Sequence, residues 1–388
     1  MHPTETPRWI YPGADWFVEA FGASVVRAWL ERHAAPGWWQ PVTLDVALPD
    51  PACERRDCGD SCVCLLRLEA EMALYHAARK EPADVLEMKW SCGVTSRSPA
   101  ALAGLRDAVE RHFRLTANAN RVAVIDPTGA ADASLATLHA LGTTTLRVVS
   151  LGDGKEAVST ITTARRLEFR RIEAVVSVTP GLQREVESLI ERLIAAAPDR
   201  IVLPSAYMGH VAQRLIGAGR SCVARNVFAS RSGQSAGSRR TEPLKPPSTG
   251  SVIALGQRSI GRVGPLSYQN HRAPGAYLAA LEQGALPIER GLLLTHDDIV
   301  RGLVMASLSA DFSIDIAMVE AACGIDFRRY FRAEWNALRD FEDMGALSID
   351  AAHLALTPQG RLVCDDVCRV FDQRARMLTE ACERPHLL

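Results

Sequence analysis

The sequence predicts an α/β fold: a partial (β/α) TIM-like barrel of about six units, followed by a mainly helical, winged-helix-like domain. Between residues 43 and 204 short β-branched runs alternate with amphipathic helical stretches. A parallel neighbour needs a crossover, so this alternation means βαβ units. Residues 230–250 are rich in Ser, Gly, Arg and Pro without an apolar period, and beyond them the spacing turns mostly helical.

The strands are expected at 43–48, 85–90, 122–125, 145–150, 173–178 and 200–204. They are near-continuous apolar runs, as in a sheet covered on its outer face. Helices are expected between them at 65–79, 100–113, 131–141, 155–167 and 182–197. Periodicity alone leaves an open doubly wound sheet standing beside the partial barrel. After 230–250, a flexible connection by composition, comes one more apolar strand at 251–255. Helical patterns follow at 276–283, 297–309, 314–322, 327–344 and 358–377, with a small hairpin at 346–357 around Asp350. Asp297 and Asp298 stand where a helix start needs acceptors for its free N–H groups. The expected organisation is a lead-in at 1–42, a barrel at 43–229, the connection at 230–250 and a C-terminal domain at 251–388.

Composition narrows the function classes. The chain has 388 residues, 47% of them hydrophobic and 23% charged, with a formal net charge of −1. No global basic field draws it to nucleic acid or an anionic membrane. From Ser251 onward acidic residues outnumber basic ones, which speaks against DNA binding by a winged-helix-like module, since phosphate contact needs a basic stripe. No apolar run approaches the roughly 20 residues of a membrane span. The opening MHPTETPRWIYPGADW lacks the basic and apolar regions of a secretory signal, so the cytoplasm is the expected location. Neither a nucleophile elbow nor a phosphate loop is present.

Cysteine is the anomaly. Of ten cysteines, Cys53, Cys58, Cys62 and Cys64 fall in DPACERRDCGDSCVC, between the first strand and the first helix. The other six are scattered, and the expectation for them is small buried hydrophobes. In a (β/α) barrel the loops after the strands build the active site, and thiolates hold iron–sulfur clusters. Three readings stay open here: a variant iron–sulfur loop, thiols left by an eroded motif, and a structural zinc site.

Pro7-Arg8-Trp9, Tyr11-Pro12 and Trp16-Phe17 are followed much later by Leu255-Gly256, Ser259-Ile260-Gly261 and Tyr268-Gln269-Asn270. Then come Tyr277, the run from Gly284 to Gly291, Asp297-Asp298, Asp311-Phe312, Phe331, Gly345, Leu356-Thr357, Gly360-Arg361, Phe371-Asp372 and Arg374-Ala375-Arg376-Met377. In this order they resemble the oxygen-independent coproporphyrinogen III oxidase family, most densely from Leu255 to Met377. The middle agrees in outline, at Trp90, Asp126-Pro127 and Pro198-Asp199-Arg200.

The resemblance implies a partial barrel carrying a 4Fe–4S cluster and S-adenosylmethionine. The family generates a 5′-deoxyadenosyl radical that oxidatively decarboxylates propionates of coproporphyrinogen III in haem synthesis, with the cofactor carrying the hard chemistry. It implies Cys53, Cys58, Cys62 and Cys64 as the cluster segment, Gly93 and Thr95 at the cofactor, and Arg8, Tyr268 and Gln269 as substrate candidates. The departures gather in the barrel half. The family's Cys-x3-Cys-x2-Cys gaps are each one residue longer here. Asp45 replaces an aromatic, Val124 replaces an acid, and an expected aspartate falls around Ser177. The Gly-Gly-Gly-Thr-Pro strand end reads Ser91-Cys92-Gly93-Val94-Thr95, where side chains obstruct close backbone approach. Together these imply an impaired relative, or a non-catalytic one that binds a tetrapyrrole or a partner protein; a radical enzyme with another substrate is the further alternative.

Overall fold

A computed structural model describes residues 11–33, 41–48, 63–91, 93–150, 154–177, 183–230 and 251–377. In chain order the first elements are α1 (Ala23–Arg32), β1 (Val42–Ala47), α2 (Val63–Arg79), β2 (Ala83–Ser91), α3 (Pro99–His112) and β3 (Phe113–Ile125). Then come α4 (Asp132–Ala140), β4 (Thr145–Ser150), α5 (Lys155–Arg166), β5 (Arg171–Val176), α6 (Gln183–Ala196) and β6 (Arg200–Val202). α7 (His210–Gly217), β7 (Arg220–Ala224), β8 (Val227–Ser230), β9 (Val252–Leu255), β10 (Ile260–Val263), β11 (Leu266–Asn270), α8 (Pro274–Glu282) and β12 (Ile288–Leu293) follow. The chain continues with α9 (His296–Asp311), β13 (Ser313–Asp315), α10 (Ile316–Cys323), α11 (Phe327–Tyr330), α12 (Trp335–Asp343), β14 (Leu347–Ile349), β15 (His353–Leu356) and α13 (Cys364–Phe371).

Contacts divide the chain into two units. Of the described residues, the first holds those within 13–199 and 251–294, and the second those within 11–12, 200–230 and 295–377. This division runs differently from the expected boundary at 230–250. The sixth strand, β6, belongs to the second unit, and the stretch from β9 to β12 belongs to the first. That stretch was expected to be mostly helical after its first strand. Instead β10, β11 and β12 form antiparallel pairs.

In the first unit the strand order is β12-β11-β10-β9-β1-β2-β3-β4-β5. From β9 through β5 each neighbour is parallel, joined by the crossovers the alternation predicted. The expected strands and helices from β1 to α6 are all present, with β3 beginning nine residues before its expected start at 122. Leu44, Val46, Met88 and Trp90 share one face of the sheet by register. Leu102 of α3 and Leu138 of α4 line a crevice with Met88 and Trp90, and Tyr75 of α2 meets Tyr268 on the same face. Helices gathered on one face match the barrel alternative, since a doubly wound sheet carries them on both. α3 starts as its sequence dictates: Ser98 accepts from the Ala101 N–H, with Pro99 in the first turn.

In the second unit β6, β8 and β7 pair antiparallel in that order, and β13-β15-β14 form a three-stranded sheet containing the expected hairpin. Thr295 and Asp298 form a capping box on α9. Asp298 also receives Arg374, with both contacts at 2.8 Å. Asp297 does not cap; it takes Arg301 at 2.8 Å and the Tyr330 hydroxyl at 2.7 Å. Buried Glu334 joins Arg301 to Arg376. Burial opposes its charge, but the two guanidiniums hold its carboxyl below the usual carboxylate range. Of the scattered cysteines, Cys222, Cys364 and Cys368 are buried and Cys323 is half-buried. Among the described residues no helix is long and apolar enough to cross a membrane.

One backbone contact fixes how β9 leaves the sheet. Gly256 has φ +99°, and a Cβ there would stand 2.2 Å from the Ala47 carbonyl oxygen at the end of β1. Gly256→Ala is expected to lower stability by about 2–4 kcal/mol, since strained φ and a backbone clash act together. The urea midpoint of the purified protein measures it.

Candidate functional site

Register assigns every second strand residue of the first unit to the face opposite the helices. Asp45 of β1 pairs with Lys89 of β2, and Arg147 of β4 with Glu173 of β5. Glu87, Asn120, Val122, Val124 and Thr145 share this inner wall. On the antiparallel side it continues through Ser267 and Gln269, the latter opposite Arg290.

The wall is polar, and most of its charge is neutralised side to side. Lys89 Nζ lies 2.5 Å from Asp45 Oδ2. Arg147 donates to Glu173 Oε2 through Nε at 3.0 Å and Nη2 at 2.8 Å, with Glu173 only 5% exposed. Asn120 donates to Glu87 at 3.2 Å and accepts from Thr145 at 2.8 Å. Arg290 donates to the neutral Gln269 amide oxygen at 2.9 Å, and its guanidinium lies 6.0 Å from the centre of the Phe17 ring.

The predicted site residues divide accordingly. Gln269 is on the inner wall. Tyr268, its neighbour, is on the helix-covered face, fully buried, with its hydroxyl accepting from Tyr75 at 2.8 Å. The Tyr268 hydroxyl thus meets α2 on the face opposite the inner wall. Both residues belong to strand β11. Gly93 has φ +50° and leads a short helical turn. Its carbonyl accepts from the Ser96 hydroxyl at 2.7 Å and the Ser96 N–H at 3.3 Å. The Thr95 carbonyl accepts from Ser134 at 3.1 Å, and Ser91 directs its hydroxyl to the Val46 carbonyl at 3.4 Å. Cys53, Cys58, Cys62, Cys92 and Arg8 lie outside the described residues, as does the side chain of Cys64. Among the described residues no group of three or more His, Cys, Asp or Glu could hold a metal ion.

A cofactor amine needs acceptors that are free to turn to it. At the end of β2 the Gly93 carbonyl is already taken by its own turn, and the Ser91 side chain stands where the family has bare backbone. Val124, where the family has an acid, is buried and apolar.

The sequence reading missed a second polar cluster. Glu71 of α2 is fully buried and accepts from the Gly256 N–H at 2.8 Å, Asn270 Nδ2 at 2.6 Å and the Tyr277 hydroxyl at 2.6 Å. Its only signal was spacing: Glu71 lies among Leu68, Met72 and Tyr75, which form the buried side of α2.

Comparison with known proteins places this geometry. Residues 294–363 match the model of the HemN C-terminal domain. An oxygen-independent coproporphyrinogen III oxidase of Pseudomonas aeruginosa is 26% identical, over 94% of this chain and 92% of that protein. The enzyme of the same name from Helicobacter pylori is 30% identical, over 32% of this chain and 27% of its own. A solved structure, described as "Coproporphyrinogen III oxidase (HemN) from Escherichia coli is a Radical SAM enzyme", superposes with a TM-score of 0.76 at 20% identity. It covers 94% of this chain and 96% of that one, and its fold agrees with the α/β assignment.

The Arg147–Glu173 pair sets an energetic test. Glu173→Leu would leave a largely buried guanidinium without its carboxylate, at a cost of about 3–5 kcal/mol. Arg147→Leu combined with Glu173→Leu is expected to recover most of that loss in urea denaturation.

Proposed function

This chain belongs to the oxygen-independent coproporphyrinogen III oxidase family, and we propose that it binds a tetrapyrrole carboxylate on the inner barrel wall while the family's S-adenosylmethionine chemistry is impaired. The observation that carries the second half is the Gly93 carbonyl, committed to the Ser96 hydroxyl and N–H. A ligand amine would have to break both bonds and displace the Ser91 side chain from the Val46 carbonyl.

The binding half rests on Arg290 and Gln269. Coproporphyrinogen III presents propionates, and a carboxylate is held best by a planar guanidinium with a second donor beside it. Lys89 and Arg147 are matched by carboxylates in register, so recruiting them would strip a partner. The Arg290 contact with Gln269 is to a neutral oxygen, which leaves its charge to attract an anion. Phe17 supplies an apolar surface beside it.

Coproporphyrin III, the stable oxidised form, serves as the probe. It is expected to bind the purified protein with fluorescence quenching, and Arg290→Ala is expected to raise Kd roughly tenfold, the equivalent of one lost charge-assisted hydrogen bond. Absence of binding would overturn the tetrapyrrole assignment. After anaerobic iron–sulfur reconstitution and reduction, S-adenosylmethionine is expected to stay intact. Stoichiometric 5′-deoxyadenosine that disappears in Cys58→Ala and Cys62→Ala would overturn the impaired assignment and restore the family's radical enzyme.

A further inference from the structure

The buried carboxylate on α2 has no role in binding at the inner wall, since it lies on the opposite face of the sheet. Its three partners come from three different parts of the first unit: the backbone just after β9, the side chain of β11 and the side chain of α8. Gly256, one of these partners, is pressed against the carbonyl of Ala47. The end of β1 and the body of α2 are therefore tied together through one glycine and one carboxylate.

The partners differ in what they can do when the carboxylate takes a proton. The Gly256 N–H can only donate. Asn270 presents its NH2 group, which also reaches the Gly256 carbonyl at 3.0 Å and Ser259 Oγ at 3.1 Å; turning the amide over would lose both contacts. The Tyr277 hydroxyl alone can reverse without moving a heavy atom, from donor to acceptor, across its 2.6 Å contact.

We propose that Glu71 and Tyr277 form a protonation switch: the neutral acid donates to Tyr277 and seats α2 tightly on the β9–β11 face, and loss of the proton loosens that seat. This is independent of what the barrel binds. No co-reactant is needed, because the proton exchanges with solvent when the seat opens.

The surroundings set the direction. Tyr75 on α2, Tyr268 on β11 and Tyr277 on α8 are the titratable groups facing Glu71, and β9 carries none. On α3, Arg111 pairs with Glu69 of α2, the His112 ring lies 3.9 Å from the same carboxylate with its pKa lowered by burial and then by His76, and His76 Nδ1 of α2 is 3.2 Å from the His112 carbonyl oxygen. On α1, Arg27 and Glu31 pair with each other. Burial is the largest influence on Glu71 and raises its pKa from 4.5 to about 7, against the opposing hydrogen bonds from Tyr277, Gly256 and Asn270. A carboxyl raised on folding contributes stability that is complete below its ordinary pKa and is lost as pH rises through the folded value. The seat is thus tight in mild acid and weakens through neutrality.

Infrared titration of the full chain tests the proton directly. The carbonyl stretch of a protonated carboxyl is expected to vanish with a midpoint near neutral pH and to be missing in Glu71→Gln. In Tyr277→Phe the stretch should move to higher frequency, because the acid has lost its acceptor. Hydrogen exchange tests the seat. Corrected for intrinsic rates, α2 amides should lose roughly tenfold protection between about pH 6 and about pH 8 in the wild type, and stay flat in Glu71→Gln. A midpoint in the ordinary carboxylate range, an unmoved stretch in Tyr277→Phe, or equal pH dependence of α2 exchange in both proteins would overturn the switch. Should Glu71→Gln fail to fold, the wild-type and Tyr277→Phe spectra still decide.

Discussion

Strand side chains alternate between two faces, and in the first unit this period of two governs everything placed on the sheet. One face is roofed by α2, α3 and α4 and takes the apolar residues Leu44, Val46, Met88 and Trp90. The other is the inner wall, where much of the charge meets its opposite on the next strand. Asp45 with Lys89 and Arg147 with Glu173 do so in register. The cost of burying a single charge makes such pairs interdependent. The same alternation sends Gln269 to the wall and Tyr268 to the helices, though the two are adjacent in the chain.

The second unit explains why resemblance to the family is densest toward the C-terminus. Asp298 is at once the capping residue of α9 and the acceptor for Arg374. Arg301, Glu334 and Arg376 form one buried chain of opposite charges. A Cβ on Gly360 would lie 1.7 Å from the Ala346 carbonyl oxygen, so no other residue fits there. These positions hold a fold together. They say which family the chain descends from and little about chemistry in the barrel.

The barrel strands were legible because a parallel strand and its crossover leave a long local pattern, as from β1 to α6. The Thr295–Asp298 cap was half legible: the acidic pair announced a helix start, but only the structure separated the capping Asp298 from Asp297, which faces Arg301 and Tyr330. The strands β10, β11 and β12 were not legible. They are short, interrupted by Gly261, Gly264 and Pro265, and gain their hydrogen bonds only by pairing with one another and with β9. The unit boundary was hidden for the same reason, since composition marks a flexible stretch and not the side of it to which each strand returns.

The sequence by itself determined the family and the α/β alternation, because both are carried by local order: motif residues in sequence, and periods of two and 3.6. Tertiary structure decided which of the inner-wall charges meet, and so left Arg290 beside a neutral amide while Lys89 and Arg147 found carboxylates. It decided too that Glu71, one acid among many on a helix, would be closed off from water by β11 and α8. Burial and donor geometry are properties of packed neighbours far apart in the chain, and no local pattern encodes them.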